Sequence, residues 1–485
     1  MNRRMIVFVL GRTLLAEAVL MLPSIIVGLI YKEQTTLAFV PPVLLLVLLG
    51  ALFGAKRPHN SAIYARDGLV IVALAWVVLS LVGALPFYLS REPQFSNMED
   101  CIFEIVSGFT TTGATILPNP EALPKSLLFW RSFSHWIGGM GVLVFVLAIV
   151  PLSEDRSLHL MRAEVPGPVV GKLVPRMRDT AKILYGVYSV MTVVLIALLL
   201  VGGMPLFDSI CHAFGAAGTG GFSVKTAGIA YYDSAYIEIV LSIFMLLFGV
   251  NFNLYYLIII RRVREAVKSE ELRWYGIIVA LSTALVAWNV YSIYQNTGAS
   301  IRHALFQVSS IITTTGYGTV DFATDWPQLS QTLLVILMLI GACAGSTGGG
   351  LKVSRVILLL KTFAQEVRHL IHPRAIRVVR LEGRPVEPGT LRNTLAYFMM
   401  YMVIIIASVL LLSLDGFDFA TNVTAELACF NNIGPGIGLV GPMENYAKFS
   451  AFSKALLTLN MLFGRLEIFP MLVLLSPRMW KRNVN

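Results

Sequence analysis

The sequence predicts an all-α polytopic membrane protein with four membrane–pore-helix–membrane repeats around a central pathway, plus two extra N-terminal transmembrane helices. Three observations carry that prediction. The 485 residues are 56% hydrophobic and only 14% charged, with a mean hydropathy of +0.73. A chain so apolar has too little polar surface for water, and the bilayer is its natural solvent. Its basic residues fall into a few segments separated by pairs of apolar stretches, and a polar glycine-bearing loop recurs four times.

A span needs about 20 mostly apolar residues. Stretches 5–30, 37–54, 68–89, 127–151, 183–204, 235–260, 274–294, 329–360, 393–414 and 452–475 meet that test, which predicts about ten crossings. The start Met1-Asn2-Arg3-Arg4 is also that of a signal peptide. The apolar run behind it is long and shows no small-residue cleavage site, so a retained helix is expected. The chain divides into two N-terminal helices (1–67), then repeats at 68–182, 183–272, 273–390 and 391–485.

Charge sets the expected orientation. Of 38 Lys and Arg, 28 lie in residues 1–4, 54–67, 153–182, 261–273, 352–392 and 478–482. All six segments fall on one side of the predicted topology, and the positive-inside rule makes that side, with both termini, cytoplasmic. Topology thus accounts for the net charge of +10 without a nucleic-acid partner. The opposite face carries 15 Asp and Glu against 8 Lys and Arg, a balance that concentrates cations near an entrance. Cys101, Cys211, Cys343 and Cys429 are scattered in apolar surroundings, where buried free thiols are expected. The histidines show no metal-ligand spacing, and no nucleophile–base pair has usable spacing, so neither an enzyme nor a cofactor is expected.

The four loops read Thr110-Thr111-Thr112-Gly113-Ala114, Ala217-Gly218-Thr219-Gly220-Gly221, Thr313-Thr314-Thr315-Gly316-Tyr317 and Asn431-Asn432-Ile433-Gly434-Pro435. Aligned on Gly113, Gly220, Gly316 and Gly434, they recur 107, 96 and 118 residues apart. Before each lies a segment too short to span: 97–109, 206–216, 300–312 and 419–430, opening near Asn97, Asp208, Ser300 and Thr421, which favour helix entry. A half-helix that returns as extended chain is tolerated in a membrane only where it is buried in protein or lines water. Four of them around an axis aim four negative helix ends at one spot, making a central ion pathway for a cation.

Glycine lets carbonyls turn inward, and threonine adds oxygens without charge. Rings of such oxygens replace an ion's hydration shell, as in the TVGYG loop of potassium channels, to which Thr313–Gly318 is close. The candidate ion-binding residues are Thr111, Thr112 and Gly113; Thr219, Gly220 and Gly221; Thr314, Thr315, Gly316 and Tyr317; and Asn432, Ile433 and Gly434.

The run 341–350 interrupts the second span of the third repeat with five glycines, each costing a helix about 1 kcal/mol against alanine. Gly341, Gly345, Ser346, Thr347, Gly348, Gly349 and Gly350 are therefore expected to form a broken segment below the third loop, a candidate gate. Arg465, inside the last apolar span, costs at least about 2.5 kcal/mol on insertion scales and needs partners. It is expected to face the pathway and bind carbonyls of that run. Lys352 and Arg355 are expected at the cytoplasmic face, and Trp130, Arg131, His135 and Trp136 in an interfacial aromatic belt.

With these motifs the chain resembles the Trk/Ktr/HKT superfamily of potassium transporters, and within it the bacterial Trk-type membrane subunit. The resemblance spans nearly the whole length. It implies potassium uptake across the cytoplasmic (inner) membrane, with Gly113, Gly220, Gly316 and Gly434 lining the filter and K+ as the transported ion. Gly113 in the first loop is associated in that family with potassium, where serine is associated with sodium-preferring members. The resemblance also implies the gating role of the 341–350 run and Arg465, a homodimer, and cytoplasmic nucleotide-binding regulatory subunits docked on the basic segments. Anionic membrane lipid alone also satisfies those segments. No phosphate-binding motif occurs in the chain, so any nucleotide acts through the partner. The second and fourth loops lack the threonine run, so the ring is not chemically uniform. A potassium symporter coupled to H+ or Na+ is the alternative to a channel-like pathway.

Overall fold

A computed structural model of the chain describes residues 2–56, 58, 59, 64–141, 177–374 and 378–476. It is an all-α membrane protein. Six helices are long and apolar enough to cross a bilayer: Arg3–Ile30, Gln34–Gly54, Arg66–Ser90, Asp179–Val201, Glu270–Tyr294 and Pro388–Asp415. The expected ten crossings are thus six uninterrupted ones. The remaining stretches are broken.

All four breaks fall in the second helix after a glycine loop. Those helices are Lys125–Gly139, Ala235–Phe248, Gln328–Ile340 and Ala451–Arg465, with 15, 14, 13 and 15 residues. Ala235–Phe248 turns by 91° into Phe252–Ile259. Gln328–Ile340 ends at Gly341, whose φ of +73° no helix continues, and the chain stays irregular until Val353–Ile371. Ala451–Arg465 ends without a glycine; Glu467 and Ile468 both take φ +59°, a costly conformation for a β-branched residue. The expected span 127–151 leaves the described residues after 141, as do most of 153–182 and all of 478–482.

The four short helices run Met98–Phe109, Leu206–Gly218, Thr297–Ile312 and Phe419–Phe430. Asn97 precedes the first as expected, the second and fourth start at the expected 206 and 419, and the third starts at 297 rather than 300. Pro205, Asn296 and Asp418 stand at those starts, leaving Asp208, Ser300 and Thr421 inside the first turn. Asn296 accepts from Ala299 N and Asp418 from Thr421 N, so the upstream side chains satisfy the free amides. A two-strand hairpin, Arg380–Leu381 against Arg384–Pro385, is the only sheet among the described residues.

Candidate functional site

Each short helix ends in the same turn. Thr112 N, Gly220 N, Thr315 N and Ile433 N donate to Ser107 O, Gly215 O, Ser310 O and Ala428 O at 2.8, 2.7, 2.8 and 2.8 Å. The preceding residue is left-handed every time: Thr111, Thr219, Thr314 and Asn432 have φ +56°, +56°, +59° and +56°. This is the bond pattern of a helix C-cap, with threonine or asparagine where glycine is usual. Three β-branched residues held there store strain, which persists only where the surroundings enforce it.

The shared turn corrects the sequence alignment. The residue two positions after the left-handed one is Gly113, Gly221, Gly316 or Gly434, with φ +81°, +78°, +85° and +94°. Gly221, not Gly220, is therefore the equivalent of the other three. Gly220 corresponds to Thr112, Thr315 and Ile433. In a Gly-Thr-Gly-Gly run, letters alone leave the register open by one residue.

The four loops close on one another. A methyl group at Gly113 would lie 2.1 Å from Gly220 O, at Gly221 2.0 Å from Thr315 O, at Gly316 2.0 Å from Ile433 O, and at Gly434 2.8 Å from Thr112 O. The contacts run first to second to third to fourth and back to first. An open cavity is lined by the same four glycines together with Tyr317 and Arg131. Thr110 and Thr112 share a hydroxyl bond at 2.8 Å, as do Thr313 and Thr315. Among the described residues, Thr111 Oγ1 and Asn432 Oδ1 are buried without a hydrogen-bond partner. Both are oxygen ligands suited to a hard cation. Thr219 Oγ1 donates to Gly218 O, and Thr314 Oγ1 accepts from Gly349 N at 2.6 Å.

Side chains behind the ring hold it, and sequence reading misplaced several of them. Trp130, Arg131 and His135 are buried, and Trp136 is half-buried, so they form no interfacial belt. Arg131 Nε binds Glu104 Oε1 at 2.5 Å, its Nη1 donates to Ser223 O at 2.9 Å, and it lies 3.5 Å over the Phe222 ring. Glu104 also accepts from Thr115 Oγ1 and Ile116 N. One helical turn on, His135 Nδ1 bonds Gly108 O at 2.8 Å, while its Nε2 accepts from Phe222 N at 3.2 Å. The first and second loops are thereby cross-tied. Arg131 and His135 at i and i+4, on one face of the helix, were the available signal. Tyr317 lines the cavity, and its hydroxyl donates to His212 O behind the second loop. Asn432 Nδ2 donates to Thr112 Oγ1, linking the fourth loop to the first.

The run 341–352 lies against the base of this ring. Besides the Gly349–Thr314 bond, a methyl group at Gly349 would lie 2.3 Å from Asn431 O and one at Gly348 2.9 Å from Thr313 O. The run is also tied to the second repeat's break: Cys343 N donates to Gly249 O, Phe252 N to Gly345 O and Thr347 Oγ1 to Phe248 O. Arg465, 7% exposed, donates to Thr347 O at 2.8 Å and to Gly139 O at 2.8 Å, with a further bond to Gly138 O. Its bond to the glycine-rich run is the expected one; those to the first repeat's break were not anticipated.

Lys352 and Arg355 are not at an exposed face. Lys352 is 1% exposed, has φ +78°, and its Nζ donates to Gly348 O. It thus joins Arg465 on adjacent carbonyls of the run. Arg355 is buried, pairs with Glu467 and lies 4.1 Å over the Tyr397 ring. Hydropathy could not reveal this, because the run that folds Lys352 inward reads simply as the end of a span.

The chain matches the family described as TrkH, cation transport protein, over residues 37–482. It is 37% identical to the Trk system potassium uptake protein TrkH of Salmonella typhimurium, covering 96% of this chain and 97% of that one. Against the Trk system potassium uptake protein TrkG of Escherichia coli K12 the identity is 34%, covering 95% of each. The crystal structure of the potassium transporter TrkH from Vibrio parahaemolyticus is similar with a TM-score of 0.88 at 34% identity, covering 99% of this chain and 100% of that one.

Proposed function

The chain belongs to the TrkH family of cation transport proteins, and from that premise we propose that its four loops form a potassium filter. Potassium then enters the cell through a gated, channel-like pathway down its electrochemical gradient. The observation that carries this reading is the closed ring of contacts among Gly113, Gly221, Gly316, Gly434 and the carbonyls of Gly220, Thr315, Ile433 and Thr112. In this reading the carbonyls at 112, 220, 315 and 433 replace water around the ion, helped by Thr111 Oγ1 and Asn432 Oδ1. The negative ends of four helices favour a cation without a full charge that would trap it. Two loops lack the threonine run, so the ring offers fewer strong sites than a symmetric one.

The run 341–352 acts as the gate, held in the pathway by Arg465 and Lys352. A unit charge about 4 Å from an ion's path opposes a cation by about 4 kcal/mol at an effective dielectric near 20. Positive charge held at the run adds an electrostatic barrier to the steric one. In this reading the protein sits in the cytoplasmic membrane with both termini inside, as a homodimer whose basic segments dock nucleotide-binding regulatory subunits.

The test is cation flux into liposomes holding the purified protein alone. Potassium-selective flux on its own gradient supports the filter reading. Flux that requires a proton or sodium gradient turns the same fold into a coupled symporter.

A further inference from the structure

Two carboxylates outside the ring are placed to control the run 341–352. Glu271, buried in the first turn of Glu270–Tyr294, accepts at Oε1 from Ala344 N at 2.7 Å and from Ser354 N at 3.1 Å. These donors flank the segment Gly345–Gly350, so one oxygen cinches it like a drawstring. Charge-assisted bonds of this kind are about twice as strong as neutral ones.

The position of Glu271 is set in turn from a distant part of the chain. Glu382 sits at the tip of the 380–385 hairpin, where it and Gly383 take φ +52° and +74°. Two successive left-handed residues make the turn type that matches strand twist. The Glu382 carboxylate accepts from Ser269 Oγ at 2.8 Å, Glu270 N at 2.9 Å and Glu271 N at 3.2 Å. It therefore caps the helix that carries Glu271, at the end where a negative charge is favoured. Glu382 N donates back to Glu270 Oε2 at 3.2 Å. Lys361, on the helix that continues the run, pairs with Glu270 and donates to Arg380 O at 2.8 Å. The hairpin itself is exposed at Arg380 and at 382–385.

We propose that Glu382 and Glu271 are positioning residues in series, through which the 380–385 hairpin holds the intramembrane run in its obstructing pose. A load that shifts the exposed hairpin is relayed to the gate over two hydrogen-bonded carboxylates. The inference rests on reading 341–352 as the gate.

The experiment uses the full chain in liposomes, as Glu271→Gln, Glu382→Gln and the double variant, each with the intact run and with the run shortened. Potassium flux is read together with the maleimide labelling rate of Cys343, which is fully buried in the run, in a Cys101→Ala, Cys211→Ala, Cys429→Ala background. Each single variant raises basal flux about tenfold, because Gln keeps one acceptor oxygen but not the charge, which leaves neutral bonds about half as strong, and speeds labelling. The double variant adds nothing, because the two act in series, and neither changes flux once the run is shortened. Glu382→Asp, which keeps the charge and shortens the reach, gives intermediate labelling if Glu382→Gln does not fold. Unchanged flux and labelling in folded Glu271→Gln and Glu382→Gln overturn the linkage. Unchanged flux on shortening the run overturns the gate reading itself, and the two failures are distinguishable.

Discussion

Gly221→Ala is the substitution that bears hardest on the register of the ring. Its Cβ would lie 2.0 Å from Thr315 O and 3.0 Å from Thr315 C. Carbon–oxygen contacts settle near 3.3 Å, so the second and third loops must part by about 1.3 Å. The neighbour is backbone and cannot rotate away. Backbone strain adds about 1–2 kcal/mol, because φ is +78°. Gly203→Ala separates the two terms: its φ is +86°, yet nothing lies within 4 Å of a methyl group there. Gly220→Ala is a second comparison, since its methyl meets the His135 ring at 2.3 Å, a side chain rather than a main chain. The assay is potassium against sodium flux in liposomes, with thermal stability read in parallel. Gly221→Ala should lower the potassium-to-sodium ratio at least about tenfold, equivalent to about 1.4 kcal/mol of lost discrimination. Gly203→Ala should lose only stability, by about 1–2 kcal/mol. Full selectivity in Gly221→Ala with its loss in Gly220→Ala would refute the structural register and restore the one read from the letters.

Other substitutions test the remaining parts. Arg465→Ala, and separately shortening 341–350, should raise basal potassium flux; a folded but inactive Arg465→Ala would count against its role in closure. Lys352→Met should raise flux in the same direction, and combining it with Arg465→Ala should give less than the product of the single effects, since both bind adjacent carbonyls. Arg131→Met leaves Glu104 buried without its charge partner and should destabilise the protein by about 3–5 kcal/mol, seen as a lower unfolding temperature; no change would mean that water replaces the guanidinium. Thr111→Val removes an unpartnered hydroxyl while keeping the shape, so it should weaken potassium affinity with little effect on stability, and unaltered affinity would exclude that oxygen as a ligand.

Composition and hydropathy were enough to place six of the ten expected membrane helices. The six uninterrupted helices lie where apolar runs of about 20 residues occur, because a bilayer demands that length whatever the packing. The glycine-bearing loops were legible too, since glycine takes φ near +80° without the strain a Cβ brings and lets a neighbouring carbonyl approach. Arg465 stood out because an arginine so deep in an apolar run demands partners.

What the sequence by itself determined, then, was the membrane class, the position of the uninterrupted spans, the four loops and the glycine-rich interruption. All of these follow from local chemistry read against a uniform solvent. Only the tertiary structure decided the register at Gly221, the inward turn of Lys352, the burial of Arg131 and His135, and the carboxylates that reach the run from 271 and 382. Those depend on which distant backbone oxygen or amide a side chain meets. Hydropathy is blind to that, because a buried ion pair and an exposed charge look the same in one dimension.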